Sequence, residues 1–185
     1  MDKLVRCKAC GYIMKEKGLK DVCPACGVPK TAFEPFAEKI SPRRKMIIDA
    51  NLHPISVHFP QAFATVLPPL LAATLFVPES IGDVLLCASK VMIYLLPFTV
   101  IGAFKAGLLD GYTRFKKLST PALIKKIITG SALIALSIAL AAMTYTRGLE
   151  GRFLYYAVIL AAACVVCEII LGQIGKKLMI AKLPG

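Results

Sequence analysis

The sequence predicts two unlike parts: a small metal-stabilised β head, then an all-α transmembrane four-helix bundle. Three observations carry this. Four of the seven cysteines (Cys7, Cys10, Cys23, Cys26) crowd into the first 26 residues as two Cys-x-x-Cys pairs. Beyond them lie four apolar stretches, each long enough to cross about 30 Å of hydrocarbon at 1.5 Å per helical residue. Charge is also segregated. Residues 1–46 hold 11 Lys/Arg and 5 Asp/Glu with no long apolar run, whereas residues 47–185 spread 12 and 6 over about three times the length. The boundaries follow: head 1–38, linker 39–52, bundle 53–185.

Composition sets the limits. Of 185 residues, 57% are hydrophobic and 18% charged, with a mean hydropathy of +0.68. A soluble domain is nearer 45–50% apolar and 25% charged. An ordinary soluble fold, a disordered chain and a small disulfide scaffold are all excluded. The formal net charge of +12 invites a nucleic-acid partner. None is expected, because the basic residues flank apolar spans and the positive-inside bias accounts for them. The opening MDKLVRCKAC has no apolar stretch of the kind a cleaved signal needs, and none is expected.

In the head, twelve residues separate Cys7-x-x-Cys10 from Cys23-x-x-Cys26. Four thiolates at this spacing suit a tetrahedral site for zinc or iron. Gly11 and Gly27 follow the second cysteine of each pair, where a residue without Cβ lets the backbone turn and aim N–H groups at sulfur. A head of this size has too little core to stand alone, so the metal must supply much of its stability. Tyr12, Phe33 and Phe36 are the expected core.

The stretch RCKACGYIMKEKGLKDVCPACGVPKTAFEPF resembles the rubredoxin family, and most closely the shortened rubredoxin-like domain of rubrerythrins. The resemblance rests on Cys7, Cys10, Gly11, Tyr12, Cys23, Pro24, Cys26, Gly27, Pro29, Lys30, Phe33 and Glu34, and covers about residues 4–36. It implies one iron held by Cys7, Cys10, Cys23 and Cys26, passing one electron at a time. The spacer is shorter than in free-standing rubredoxins, and the chain lacks Trp. Spacing alone leaves zinc as the alternative metal, in a redox-silent zinc-ribbon-like head.

The four spans are expected at about 54–77, 84–109, 122–143 and 153–174. Pro78-Glu79-Ser80 and Gly82-Asp83 separate the first two, and Ser119-Thr120-Pro121 starts the third. An even number of spans puts both termini on one side. With that side cytoplasmic, 13 Lys/Arg near the spans fall inside and 3 outside. The expectation is therefore a multi-pass protein of the cell inner membrane with head and C-terminus in the cytoplasm. Thiols stay reduced there, so the clustered cysteines read as metal ligands rather than disulfides.

The first span opens NLHPISVHFPQAFATVLPPLL. This resembles an uncharacterised family of small four-span bacterial membrane domains, whose first span begins with a similar His-Pro-x-x-x-His-Phe-Pro pattern. The resemblance implies a topology and no activity. Pro60, Pro68 and Pro69 each remove a helical hydrogen bond, which in lipid calls for protein, water or ligand nearby. With N-in topology, His53, His58, Lys105 and Glu168 all fall in the leaflet nearest the head. Ionisable residues at membrane depth are costly and are functional candidates by default. Glu168 is too short to reach the interface, so it would carry a proton or find a partner such as His58 or Lys105.

Two readings of this cluster stay open beside a purely structural one. His and Glu would hydrogen-bond a quinone, or a histidine would ligate haem b. On a regular helix His53 and His58 lie about 140° apart, so one ligand would not receive both without a kink. Cys87, Cys164 and Cys167 read as packing residues, and the run Gly130-Ser131-Ala132 as a close-packing face.

The sequence thus reads as a membrane-anchored rubredoxin-like one-electron transfer protein, linking a soluble cytoplasmic redox protein to a membrane quinone or haem site. It is an electron carrier or oxidoreductase subunit rather than a stand-alone enzyme: there is no nucleophile–base set, phosphate loop or nucleotide motif. A homo-oligomer is compatible with it. The alternative is a redox-silent zinc-ribbon membrane protein acting in assembly, scaffolding or small-solute passage.

Overall fold

The computed structural model describes residues 3–37 and 40–179. Lys39 and Lys182, which entered the charge count above, lie outside them. The chain divides into two compact units between Pro42 and Arg43, inside the expected linker.

The first unit is a three-stranded antiparallel sheet of β1 (Leu4–Cys7), β2 (Ile13–Lys15) and β3 (Phe33–Phe36), in the order β2-β1-β3. β1 is central, with Val5 opposite Met14 on one side and Pro35 on the other. Along β1 burial alternates, so Val5 and Cys7 point inward. Pro35 sits on an edge strand, where its missing N–H breaks no ladder. The core differs from expectation. Tyr12 is 43% exposed and Phe33 and Phe36 are only half-buried. Among the described residues, the buried apolar side chains of this unit are Val5, Cys7 and Cys23. Two of the four clustered cysteines are therefore most of the core.

The second unit opens with α1 (Pro42–Asp49), which occupies the expected linker. Asn51 at φ 49° then turns the chain into α2 (Leu52–Ser56); Asn tolerates this left-handed conformation better than most residues. Four helical segments follow the length and hydropathy needed to cross a membrane: Pro42–Ala73, Glu79–Phe115, Pro121–Arg147 and Arg152–Lys176. The chain thus has the make-up of a multi-pass membrane protein. The first segment is broken, since α3 (His58–Ala73) starts only after Val57. That break puts Pro60 in the first turn of α3, where helical N–H groups have no intrahelical partner anyway. Pro68 and Pro69 lie inside α3 without ending it.

The other helices are α4 (Glu79–Phe115), α5 (Pro121–Arg147) and α6 (Arg152–Met179). α4 begins five residues earlier than expected: Gly82 and Asp83, read as part of a joint, are inside the helix. Pro78 ahead of it and Glu79 in its first turn are the operative start signals. α5 starts as its sequence predicts, with Pro121 in the first turn and Thr120 Oγ1 accepting from the Leu123 N–H at 3.4 Å. At the C-terminal end of α4, the Arg44 guanidinium donates to the carbonyls of Thr113 and Arg114, each at 2.6 Å. A cation there satisfies terminal carbonyls and suits the helix dipole.

Each long helix buries a stripe with steps of three and four. α3 buries Pro60, Ala64, Leu67 and Leu71; α5 buries Gly130, Leu133, Ser137, Leu140 and Thr144; α6 buries Leu154, Ala157, Ala161, Cys164 and Glu168. Such seven-residue periodicity packs helices nearly parallel. α3 packs on α4 and α6, and α5 packs on the same two, which closes a four-helix ring. Small residues permit the close approach. A Cβ added at Gly130 would lie 2.7 Å from Phe104 Cδ2. Large apolar side chains such as Phe76, Phe98 and Ile159 face outward, as a lipid-facing surface requires.

Candidate functional site

The four head cysteines come together. Their Sγ atoms all lie within 4.8 Å of one another, with Cys7–Cys26 and Cys10–Cys23 each 3.8 Å apart. Four thiolates at about 2.3 Å from a tetrahedral metal stand about 3.8 Å apart, so the cage fits an iron or a zinc. Two equivalent turns build it. Gly11 N–H donates to Cys7 O and Gly27 N–H to Cys23 O, both at 2.8 Å. Cys7 N–H then donates to Tyr12 O at 2.9 Å and Cys23 N–H to Val28 O at 2.8 Å. Gly11 and Gly27 sit at φ 77° and 75°, the left-handed region that glycine enters without strain. In each turn the first cysteine is buried and the second exposed, so Cys10 and Cys26 form the outward edge.

Backbone amides also reach sulfur. Burial pushes the Cys23 thiol up, but the N–H groups of Ala25 and Cys26 outweigh it and bring the value down to about 7. Cys26 accepts from the Val28 N–H, yet its thiol neighbours Cys10, Cys23 and Cys7, together with burial, push it up to about 12.

Arg6 and Glu34 pair across β1 and β3, with Arg6 Nε donating to Glu34 Oε1 at 3.0 Å. The Arg6 hydrogen bond holds the Glu34 carboxyl below the usual carboxylate range. The pair therefore supports the head above the unfolded carboxylate pKa, and that support fades as pH falls through the folded value. In zinc-loaded protein, a 13C titration of Glu34 should give a midpoint below about 4.3. Arg6→Gln should move it upward; an unmoved midpoint would show that the pair is not formed in solution.

The membrane cluster is rearranged relative to expectation. His53 and Glu168 line one cavity of about 410 Å3 among the bundle helices. His58 does not: it is exposed, and its Nδ1 lies 3.2 Å from the Ile55 carbonyl of its own turn. Lys105 is exposed too and is not among the cavity's lining residues. The break at Val57 separates the two histidines, and Lys105 lies on a face of α4 turned away from the buried stripe.

Lys126 takes the place expected of Lys105. Its Nζ lies 3.1 Å from His53 Nε2, while His53 Nδ1 is 3.1 Å from the Ala103 carbonyl. A carbonyl only accepts, so Nδ1 carries the proton and Nε2 accepts from Lys126. Gly107 makes room for the ring, since a Cβ there would lie 3.0 Å from His53 Cε1. Lys126 was counted only as a loop cation, although it continues the Gly130, Leu133, Ser137 stripe of α5 by one step. Asp110 also lines the cavity and is bound by Arg114 Nε at 2.8 and 2.9 Å. Glu168 is 8% exposed, and its Oε1 has no hydrogen-bond partner among the described residues. Cys164, fully buried in the core, packs as expected, and Cys167 packs against that core, whereas Cys87 is exposed and is not a packing residue.

A haem b in this cavity would find no histidine ligand. Both ring nitrogens of His53 are engaged and His58 faces outward, so no histidine nitrogen is offered to the cavity.

A small antiparallel sheet carrying a four-thiolate cage defines the head as a metal-binding domain of the rubredoxin-like class. Residues 6–34 match the family model for the rubrerythrin, rubredoxin-like domain. Four helices long and apolar enough for a membrane follow it, consistent with a membrane-domain fusion. No curated protein and no solved structure matches the chain.

Proposed function

We propose that the protein is a membrane-anchored one-electron carrier, working between a soluble cytoplasmic redox protein and the membrane quinone pool. The observation that carries this reading is the rubredoxin-like four-thiolate cage on a chain whose bundle holds, in a largely apolar cavity, a buried carboxyl oxygen with no hydrogen-bond partner among the described residues. Iron is the metal that gives the cage a redox role, with Cys7, Cys10, Cys23 and Cys26 as ligands. Their amide hydrogen bonds favour the more negative, reduced centre. The exposed Cys10 and Cys26 are the edge at which a soluble partner would approach. Quinone chemistry takes two electrons, so one quinone would use two visits of a one-electron centre. The excess of Lys/Arg on one side supports an inner-membrane location with head and C-terminus cytoplasmic.

The test is a visible spectrum of the full-length protein purified anaerobically in detergent. Thiolate-to-iron absorption that bleaches with a quinol is expected. Colourless protein with one zinc per chain would overturn the redox reading and favour the scaffold role, because the same sulfur geometry serves zinc. Reporter fusions should place residue 1 and the 116–120 loop in the cytoplasm. A periplasmic head would exclude a cytoplasmic partner.

A further inference from the structure

The bundle cavity has a second feature. A smaller hollow of about 330 Å3 lies between α3 and α6 and shares Gln61, Glu168 and Gly172 with the main cavity. Its remaining wall includes Thr65, Ile169 and Gln173, all exposed on the outer face of those helices. On a surface that faces lipid, a patch of Gln61, Thr65 and Gln173 is out of place. It marks a polar seam that runs from the outside of the bundle to Glu168. Glu168 itself sits on the buried stripe of α6, where the seven-residue pattern calls for an apolar side chain. Its Oε1 is buried and unpartnered among the described residues, which is costly in a packed interior.

We propose that this cavity is the binding site for a quinone headgroup, which enters sideways from the bilayer between α3 and α6. Glu168 takes one oxygen of the ring, and Lys126, steadied by His53, takes the other. This rests on the quinone reading above and assigns it a place. The chemistry of the walls selects the ligand class. The lining is mostly apolar, and its volume lies within the roughly 300–1,000 Å3 of ordinary ligand sites. The ligand must therefore be largely apolar and arrive from lipid. It must also carry hydrogen-bonding oxygens at two ends. Lys126 can only donate, so it suits a carbonyl, and His53 accepts only one of its three N–H bonds. Glu168 can accept from the hydroxyl of a quinol through Oε1, and in its protonated form can donate to a carbonyl of a quinone. A fatty acid could satisfy Lys126 but would leave Glu168 unpartnered. The Gly172 position leaves the seam open, since a Cβ there would meet nothing within 4 Å.

The test uses the full-length, metal-loaded protein in detergent, with short-chain naphthoquinone and benzoquinone as probes in equilibrium dialysis. Glu168→Leu and Lys126→Met should each weaken binding roughly tenfold or more, the expected loss for a hydrogen bond to a charged or buried group. Glu168→Gln keeps size and hydrogen bonding and should stay within about threefold. Gly172→Phe should block binding by filling the seam, while Lys90→Ala, far from it on an exposed face, should change nothing. Metal content and melting temperature report whether each variant is folded. Wild-type affinity in Glu168→Leu, Lys126→Met and Gly172→Phe would overturn the site, and so would oleate binding there when neither quinone does. The two proposals fail separately. Quinone binding with this variant pattern, but no electron exchange with the head, removes the carrier role and leaves the site. Quinol oxidation at wild-type rate in all three variants removes the site and leaves the carrier role.

Discussion

Replacing Cys10 by alanine is expected to empty the head of metal and unfold it, while the membrane helices still assemble. The reason is the composition of the head's interior. Among its described residues only Val5, Cys7 and Cys23 are buried apolar groups, and two of those belong to the four-cysteine cluster. A core of that size contributes little, since domains of fewer than about 40 residues generally need a metal or disulfides. Metal binding in small four-ligand domains is worth about 10–16 kcal/mol, far more than this sheet can supply. Losing one of four thiolates removes a large part of that, although Cys10 itself is exposed and packs against little. The second unit has its own core, built from residues of its own helices. Metal analysis together with limited proteolysis checks both halves. Cleavage should concentrate before Arg43 and spare the bundle. Full metal content with a native spectrum in the variant would sink the four-thiolate assignment.

The head was legible because its chemistry is written in spacing. Two Cys-x-x-Cys pairs, each followed by glycine, specify two turns, and the hydrogen bonds Gly11 to Cys7 and Gly27 to Cys23 are what those glycines permit. What spacing did not convey was burial. Tyr12 looks like a core aromatic by type, yet its position between the first turn and β2 leaves it 43% exposed. In a head whose interior is filled by sulfur there is no room for it.

The bundle was legible in outline and not in contacts. Length and hydropathy located four spans, and Pro78 and Thr120-Pro121 located two of the joints. Hydropathy cannot say which side of a helix faces protein, because in lipid both sides are apolar. The information was present in the seven-residue stripes of small and branched residues, and Lys126 and Glu168 both fall on such stripes. Reading ionisable residues by depth alone chose Lys105, which is exposed, over Lys126, which faces His53. Depth likewise grouped His58 with His53, and the helix break at Val57 separates them. Pro97, buried inside α4, attracted no attention in the sequence for the same reason.

The stripe also separates three adjacent small residues that look alike in sequence. Gly130 is buried, whereas Ser131 and Ala132 are exposed. Gly130→Val is therefore expected to destabilise the bundle by about 1–3 kcal/mol, the range for overpacking a filled interior. Its Cβ would lie 2.7 Å from Phe104 Cδ2 and 2.8 Å from Cε2, so the ring must move. Phe104 lines the same cavity as Gly130, and the open direction for the ring is into that space. The substitution should thus shrink the cavity as well as strain the contact between α4 and α5. Ser131→Val and Ala132→Val put the same side chain onto the outer face and should lie within about 0.5 kcal/mol of the parent. Thermal unfolding in one detergent, compared across the three variants, measures the difference. Equal melting temperatures for all three would mean that α5 does not present Gly130 to Phe104, and that its seven-residue stripe is not the surface on which the bundle closes.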